Sequence, residues 1–317
     1  MDAQPPNDCE SQLGRVLWRG ERVSRVVLGT VQLGMDYGIA NHQGKPDEET
    51  AKAIVATAWE GGVRHFDTAQ AYGESEAVLG RVLGSLGILN EARIESKLSI
   101  EMDPADLIEV AESIERTFER LGTDRLWCMM LHRSHWLDWW DEGLGELLKG
   151  NRDRGRFQHL GVSINSPSEA ARCLAHPDME VLQVPCNAWD QRPVRLGVVE
   201  DAHRNGQLCC VRSIFLQGLL TLSPSEVAKR LPMAREASVR WHDVAEQTGI
   251  TPVELAVRFA VGLDTPLIVG AESADQVAGT LALARLGPLP RDVKAAIAGS
   301  MEPVLDDLIL EPWRWES

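Results

Sequence analysis

The clearest structural pattern in the chain is VRHFDTAQAYGESEAVLG, residues 63–80. It opens with a short buried-strand pattern that ends at Asp67, and an amphipathic run that predicts a helix begins near Ser75. The turn between them carries Asp67 and Tyr72, so both polar side chains are expected at the carboxyl end of a strand. In α/β barrels and open α/β sheets, ligands bind at that edge.

The same alternation recurs along the chain, which predicts a closed (β/α)8 barrel, or TIM barrel. Strand and helix patterns follow one another at intervals of roughly 25 to 40 residues, as α/β architectures require. The strands are apolar on both faces, as buried parallel strands are. They are predicted at 23–30, 63–67, 93–99, 125–132, 159–165, 180–187, 208–214 and 265–270. An open doubly wound sheet is the alternative, but LGTVQLG (28–34) lacks the GxGxxG turn expected after its first strand.

Helices are predicted in the segments between and after these strands. Asp103 and Pro104 are expected to start the most amphipathic one, and Gly122 to end it. The others are predicted at about 47–60, from 75, and at 139–154, 166–175, 193–205, 225–248, 251–262, 273–286 and 291–302.

The chain is predicted to hold one structured domain. Residues 1–12 read as a flexible N-terminus and residues 13–317 as the barrel domain. A β-hairpin is expected around Arg19-Gly20-Glu21 ahead of the barrel, and the tail with Trp313 and Trp315 is expected over the barrel mouth.

Composition excludes several classes of function. The 317 residues carry a net charge of −15 and are 44% apolar. Such a charge disfavours nucleic acid and anionic membrane surfaces as partners. The beginning of the sequence has no apolar signal segment, and the six cysteines form no CxxC pair. We therefore expect a cytoplasmic protein without a metal site or disulfide framework, acting on a small molecule.

Four polar residues are predicted to meet at one rim of the barrel. Asp67 ends the second strand and Tyr72 follows it, while Lys97 and His132 end the next two strands. An ammonium stabilises a nearby phenolate, a carboxylate keeps that ammonium charged, and a histidine can orient a substrate oxygen. Together these groups would supply a proton to a developing alkoxide. The structural alternative is a buried Asp–Lys pair with a core histidine.

Several stretches resemble the aldo-keto reductase superfamily. The likeness is carried by HFDTAQAYGESEAVLG, ESKLS and GTDRLWCMMLHRSH, and it continues through GVSINSP, LQVPCN, RSIFLQGLLT and IVGAESADQV. It runs in the family's order from about residue 13 to 285. The resemblance implies a nicotinamide-dependent carbonyl reductase, with Tyr72 as proton donor, Lys97 tuning it, Asp67 holding Lys97, and His132 positioning the carbonyl.

The resemblance also implies a set of cofactor contacts. Ser163 and Gln183 match the family's nicotinamide-carboxamide ligands, and Arg212 occupies a position where the family often stacks a tyrosine. Asn165 stands one place later than the family's usual asparagine. The remaining implied contacts are Gly29, Thr30, Asp67, Ser213, Phe215, Gln217, Gly218, Gly270, Glu272 and Gln276.

The cofactor itself is less sharply specified. The family usually takes NADP(H) and places basic residues at or near Glu272 and Gln276. The resemblance therefore implies NADP(H) as the first expectation. A carboxylate at Glu272 would repel a 2′-phosphate, and Gln276 is not basic, which makes NAD(H) the competing prediction.

Substrate contacts are expected from residues that the strand order places near the rim. They are Tyr37, Arg133, Trp136, Asn187 and Trp189, a polar and aromatic set suited to a sugar-like or polyhydroxylated carbonyl compound. Two other functions stay open: a nicotinamide-binding redox-sensing barrel with little turnover, and a cofactor-free barrel lyase or epimerase.

Overall fold

The computed structural model describes residues 13–315. The predicted flexible segment 1–12 lies outside the described residues. Between residues 13 and 315, no helix is both long enough and apolar enough to cross a membrane.

Ten strands form a hairpin and a closed barrel, which confirms the predicted fold. The hairpin pairs β1 with β2 in antiparallel fashion, and all neighbouring strands of the barrel, β3 to β10, run parallel. The barrel closes because β10 pairs with both β9 and β3. The strands are β1 (Arg15–Trp18), β2 (Glu21–Ser24), β3 (Val26–Gly29), β4 (His65–Asp67), β5 (Arg93–Lys97), β6 (Leu126–Leu131), β7 (Phe157–Ser163), β8 (Val181–Pro185), β9 (Leu208–Arg212) and β10 (Leu267–Gly270).

Helices surround the barrel. They are α1 (Val31–Gly34), α2 (Glu48–Glu60), α3 (Ser75–Ser85), α4 (Leu107–Leu121), α5 (Leu144–Asp153), α6 (Ala170–Leu174), α7 (Arg192–Arg195), α8 (Val198–Arg204), α9 (Pro224–Arg230), α10 (Arg235–Thr248), α11 (Pro252–Val261), α12 (Ala274–Arg285), α13 (Arg291–Met301) and α14 (Asp307–Leu310).

The core lies mainly between the strands and the outer helices. The buried faces of α2, α3 and α4 pack there against apolar strand residues such as Phe66 and Ile94. A smaller cluster inside the barrel joins Trp18 and Val23 of the hairpin to Trp127 of β6. The hairpin therefore covers the amino-terminal end of the barrel and leaves the carboxyl ends of the strands for the site.

Several predicted boundaries are wrong, among them four with a clear local reason. The amphipathic helix α4 begins at Leu107, because Asp106 caps it while the Asp103 carboxylate accepts from the Ala105 N–H in the preceding turn. Gly143, at φ 111°, separates a 3-10 helix (Ser134–Glu142) from α5. The predicted helix 225–248 is divided into α9 and α10 around Pro232, which has no N–H to donate.

The first predicted strand, 23–30, is likewise two elements. Its start belongs to β2 of the hairpin, and Arg25 separates that strand from β3 of the barrel. At the other end of the chain, Arg192 beyond β8 pairs with Asp307 and Glu311 of the tail. The tail therefore lies beside a loop at the carboxyl end of the barrel.

Candidate active site

A buried ion pair forms the centre of the carboxyl-end rim. Asp67 ends β4 and Lys97 ends the neighbouring strand β5. Lys97 Nζ donates to Asp67 Oδ1 at 2.5 Å and to the Thr68 carbonyl at 2.9 Å. Burial alone would disfavour the ammonium, but the Asp67 carboxylate outweighs it, and Tyr72 and Glu95 add to the effect when they ionise, so the pKa of Lys97 is raised. Lys97 therefore stays positively charged.

Tyr72 and His132 lie against this pair. Lys97 Nζ is 4.9 Å from the centre of the Tyr72 ring, and the Tyr72 and His132 rings meet edge to face with centres 5.8 Å apart. Burial, followed by the charges of Lys97, Arg212 and Arg133, lowers the pKa of His132 to about 3. His132 is therefore a neutral imidazole that can donate one hydrogen bond. The structure brings all four predicted rim residues together.

A cavity of about 560 Å³ extends from this rim across the barrel. Its wall includes Tyr72, Asp67 and Arg212 of the rim, and it also includes Glu272, Gln276 and Thr280 from the segment after β10. Many of the residues predicted to bind cofactor or substrate share this wall. They are Gly29, Thr30, Tyr37, Asp67, Arg212, Ser213, Phe215, Gln217, Gly218, Gly270, Glu272 and Gln276.

The loop that follows β9 has an unusual backbone where it lines the cavity. Ser213, Leu216 and Gln217 have φ values of 61°, 47° and 54°, and Gly218 follows at 89°. Non-glycine residues with positive φ are strained, and such strain concentrates at functional sites. The N–H groups of Leu216 and Gly218 donate to the Ser213 and Phe215 carbonyls, so the loop holds its own backbone in this shape. The loop is therefore a fixed part of the cavity wall.

The loop after β3 packs against that strained segment. A Cβ on Gly218 would come within 2.4 Å of the Ala40 Cβ, so the two loops meet more closely there than a side chain would allow. Tyr37 hydrogen-bonds Gln217, and burial followed by the proximity of Tyr72 raises the pKa of Tyr37. The two loops together close one side of the cavity.

Three predicted nicotinamide ligands lie beside the rim. Gln183 Nε2 donates to Asp67 Oδ1 at 2.6 Å, while Gln183 Oε1 is buried without a hydrogen-bond partner among the described residues. Ser163 is paired in register with Gln183, and Asn165 Oδ1 accepts from Arg212 Nη2 at 3.0 Å. These three side chains neighbour the cavity but are not part of its wall.

Several predicted substrate contacts lie elsewhere. Trp136 and Trp189 are 2% and 1% exposed and belong to the apolar core, so their rings do not face the cavity. Asn187 accepts from the N–H groups of Trp189 and Asp190 and donates to the Ser213 carbonyl, which makes it a support of the turn after β8. Arg133 is half-buried directly after His132. Of the five, Tyr37 lines the cavity.

Other residues of the site had weaker signals in the sequence. Glu95 lies two places before Lys97 in β5 and points into the barrel with it, as the two-residue period of a strand dictates. His42 and Glu226 line the far end of the cavity with Glu272, but they come from loop and helix positions whose direction no pattern reveals.

A nicotinamide dinucleotide matches these features. The cavity has a volume of about 560 Å³, Gly29, Gly270 and the strained loop border it, and Gly279 of α12 presents open space on its wall. A cavity with a buried Lys–Asp pair and an adjacent tyrosine at the carboxyl ends of the strands lies where parallel barrels carry their active sites.

Comparison with known proteins establishes the family. Residues 25–302 match the model of the Aldo/keto reductase family, so the chain belongs to this family of oxidoreductases. It is 26% identical over 212 residues to the aldo-keto reductase YhdN of Bacillus subtilis (strain 168), covering 64% of this chain and 61% of that protein. It is 26% identical over 223 residues to a D-threo-aldose 1-dehydrogenase of Pseudomonas sp, covering 60% of this chain and 68% of that protein.

Solved structures share the fold. The aldo-keto reductase AKR11C1 from Bacillus halodurans, in its holo form, superposes with a TM-score of 0.74 at 20% identity, covering 94% of this chain and 98% of that one. The glycerol dehydrogenase AKR11B4 from Gluconobacter oxydans gives 0.72 at 20% identity, covering 93% and 98%.

Proposed function

We propose that this protein is an NAD(P)H-dependent carbonyl reductase that converts an aldehyde or ketone to an alcohol. The observation that carries the proposal is the charged Lys97 beside the Tyr72 ring at one end of the long cavity. A reduced nicotinamide bound there would supply the hydride. The protein would supply the proton and the electrostatic support.

Each rim residue has a role in this proposal. Tyr72 donates its hydroxyl proton to the carbonyl oxygen as that oxygen gains negative charge. The Lys97 ammonium stabilises the resulting phenolate, and Asp67 keeps the ammonium in place. Neutral His132 donates a hydrogen bond to the same oxygen and so orients the carbonyl group.

The cofactor is held along the cavity wall. Ser163, Asn165 and Gln183 would bind the nicotinamide carboxamide, with Arg212 over the ring. Ser213, Phe215, Gln217 and Gly218 would surround the pyrophosphate, and Gly29, Thr30 and Gly270 would let it approach the barrel. The strained backbone at residues 213–218 supports the pyrophosphate assignment.

We further propose that NADH is preferred over NADPH. Glu272 is half-buried on the cavity wall, and burial raises its pKa against the opposing effects of Gln276 and His42. Arg212 is the sole arginine or lysine on the described cavity wall, and it lies at the Tyr72 end. A 2′-phosphate near Glu272 and Glu226 would thus meet two carboxylates, and the nearby Arg230 is engaged with His42 of the wall and does not itself line the cavity.

A polyhydroxylated carbonyl compound is the proposed substrate class. The names of two relatives, an aldose dehydrogenase and a glycerol dehydrogenase, support it. The test is consumption of NADH or NADPH by the purified protein with a panel of aldoses, dihydroxyacetone and simple aldehydes. Consumption with a carbonyl compound supports the proposal, whereas tight cofactor binding without turnover of any of them would favour the redox-sensing barrel.

A further inference from the structure

A second carboxyl group lies beneath the Lys97–Asp67 pair. Glu95 precedes Lys97 by two residues in β5, so both side chains point into the barrel and Glu95 lies one layer deeper. Its Cα pairs in register with Asp67 of β4 and with Cys128 of β6. The residue is 1% exposed, and its Oε2 has no hydrogen-bond partner among the described residues.

The groups that face Glu95 come from its own strand, β5, and from four others, β4, β6, β8 and β9. Asp67 and Lys97 lie on the rim side. Gln183 of β8 donates to Asp67 Oδ1 and neighbours the Glu95 carboxyl, and Gln183 Oε1, like Glu95 Oε2, is buried without a hydrogen-bond partner among the described residues. The thiols of Cys128 and Cys210 face it from β6 and β9, and burial raises the pKa of each, so neither carries charge at neutral pH. Lys97 is the cation of this group, and it already has Asp67 as counter-ion.

An ionised Glu95 would therefore be a second carboxylate sharing one ammonium in a buried site. Burial, followed by the charge of Asp67, raises the pKa of Glu95 to about 8 against the opposing effects of Lys97 and Gln183. At neutral pH the carboxyl group is mostly protonated. This removes the cost of an uncompensated buried charge.

We propose that Glu95 is a positioning residue of the site, whose neutral carboxyl group supports the Gln183 amide and leaves Asp67 as the single carboxylate on Lys97. This inference rests on the proposed reductase function. When Glu95 loses its proton, Lys97 gains a second carboxylate neighbour, and less of its positive charge is left to stabilise the Tyr72 phenolate. Reduction should therefore weaken as Glu95 ionises.

The pH profile of kcat/KM for carbonyl reduction tests this role. Glu95→Gln keeps the size of the side chain and its neutral form, so we expect it to retain most of its activity at neutral pH. In the wild type, kcat/KM should fall above about pH 8 as one proton is lost, and this fall should be absent from Glu95→Gln. The matched control is Glu76→Gln, which changes a buried glutamate that is paired with Arg120 outside the site. Its kcat/KM should fall above about pH 8 as in the wild type. If kcat/KM fell with pH in the same way in the wild type and in Glu95→Gln, the proposal would be overturned.

Infrared titration tests the protonation without any turnover. A protonated carboxylic acid has a carbonyl band that carboxylates lack. The wild type should show this band at neutral pH and lose it as the pH rises through about 8, and Glu95→Gln should not show it. A wild-type spectrum without the band at neutral pH would overturn the inference even if Glu95→Gln did not fold. Failure of the wild type to reduce any carbonyl compound would instead contradict the proposed function and leave the infrared result standing.

Discussion

Lys97 Nζ lies 2.5 Å from Asp67 Oδ1, and the two side chains are 1% and 6% exposed. Breaking a buried ion pair by removing one partner typically costs about 3–5 kcal/mol, because the remaining charge is left unpaired. The barrel therefore keeps a positive charge fixed beside Tyr72 whether or not a ligand is bound. A fixed charge of this kind needs no reorganisation when negative charge develops on a substrate oxygen.

Tyr72→Phe should abolish carbonyl reduction while leaving the cofactor site intact. The variant removes one hydroxyl group, and loss of a positioned proton donor typically lowers the rate by about 10²–10⁴-fold. The measurement is kcat with NADH and the best carbonyl substrate, together with the Kd for NADH of the same variant. A rate within a few fold of the wild type would exclude Tyr72 as the proton donor.

Glu272→Arg should raise the affinity for NADPH relative to NADH. Reversing the charge at the far end of the cavity replaces repulsion of a 2′-phosphate by attraction, and a change of about 1.4 kcal/mol would shift the ratio of Kd values tenfold. Asp275→Arg is the control, because it makes the same charge change three residues away at an exposed position outside the cavity wall. If the ratio of the Kd values for NADPH and NADH were the same in Glu272→Arg and Asp275→Arg, Glu272 would not face the ribose.

Gly279→Trp should block cofactor binding. Gly279 lies on the cavity wall in α12, and a Cβ built there meets no atom within 4 Å, so a large side chain would occupy the cavity. We expect the Kd for NADH to rise at least about tenfold, the equivalent of 1.4 kcal/mol of lost contact. Gly299→Trp in α13 is the matched control, since it also adds a side chain to open space on a helix, away from the cavity. Unchanged binding in Gly279→Trp would place the cofactor elsewhere.

His65 should make the fold sensitive to acid. It is 1% exposed at the start of β4, and burial, with Arg93 next in effect, lowers its pKa from 6.5 to about 3. Above pH 6.5 both the folded and the unfolded chain hold a neutral imidazole, whereas between 6.5 and about 3 only the unfolded chain takes up the proton. The free energy of unfolding should therefore fall by ~1.4 kcal/mol for each pH unit in this window because of this residue.

The measurement is chemical denaturation at several pH values between 6.5 and about 3. His65→Gln keeps an acceptor for the Ser24 N–H and should show a shallower decline than the wild type. His203→Gln changes an exposed histidine of α8 and serves as the control. If the free energy of unfolding of His65→Gln fell as steeply with decreasing pH as that of the wild type, His65 would not resist protonation in the folded chain.

The sequence predicts that the rim residues lie close together, because their positions are set by the ends of neighbouring strands. Asp67, Lys97 and His132 end or follow adjacent parallel strands, so the two-residue period and the order of the barrel suffice to bring them together. Glu95 obeys the same period and could have been identified from its place two residues before Lys97.

Residues on loops are harder to predict because the path of a loop sets the direction of a side chain. Trp136 follows His132 by four residues, yet a 3-10 helix turns its ring into the core. Trp189 is directed into a second core cluster by the turn that Asn187 supports. Glu272 shows the opposite case. The sequence allowed its side chain to point either to solvent or into the cavity, and the structure places it on the cavity wall.

The most direct test of the proposed nicotinamide site is a calorimetric titration of the purified protein with NADH and, separately, with NADPH. We expect one NADH to bind per chain, more tightly than NADPH, and expect Gly279→Trp to weaken the binding of both at least about tenfold. If the wild type bound neither cofactor, the cavity between Tyr72 and Glu272 would not be a nicotinamide site, and a cofactor-free barrel enzyme would become the better description.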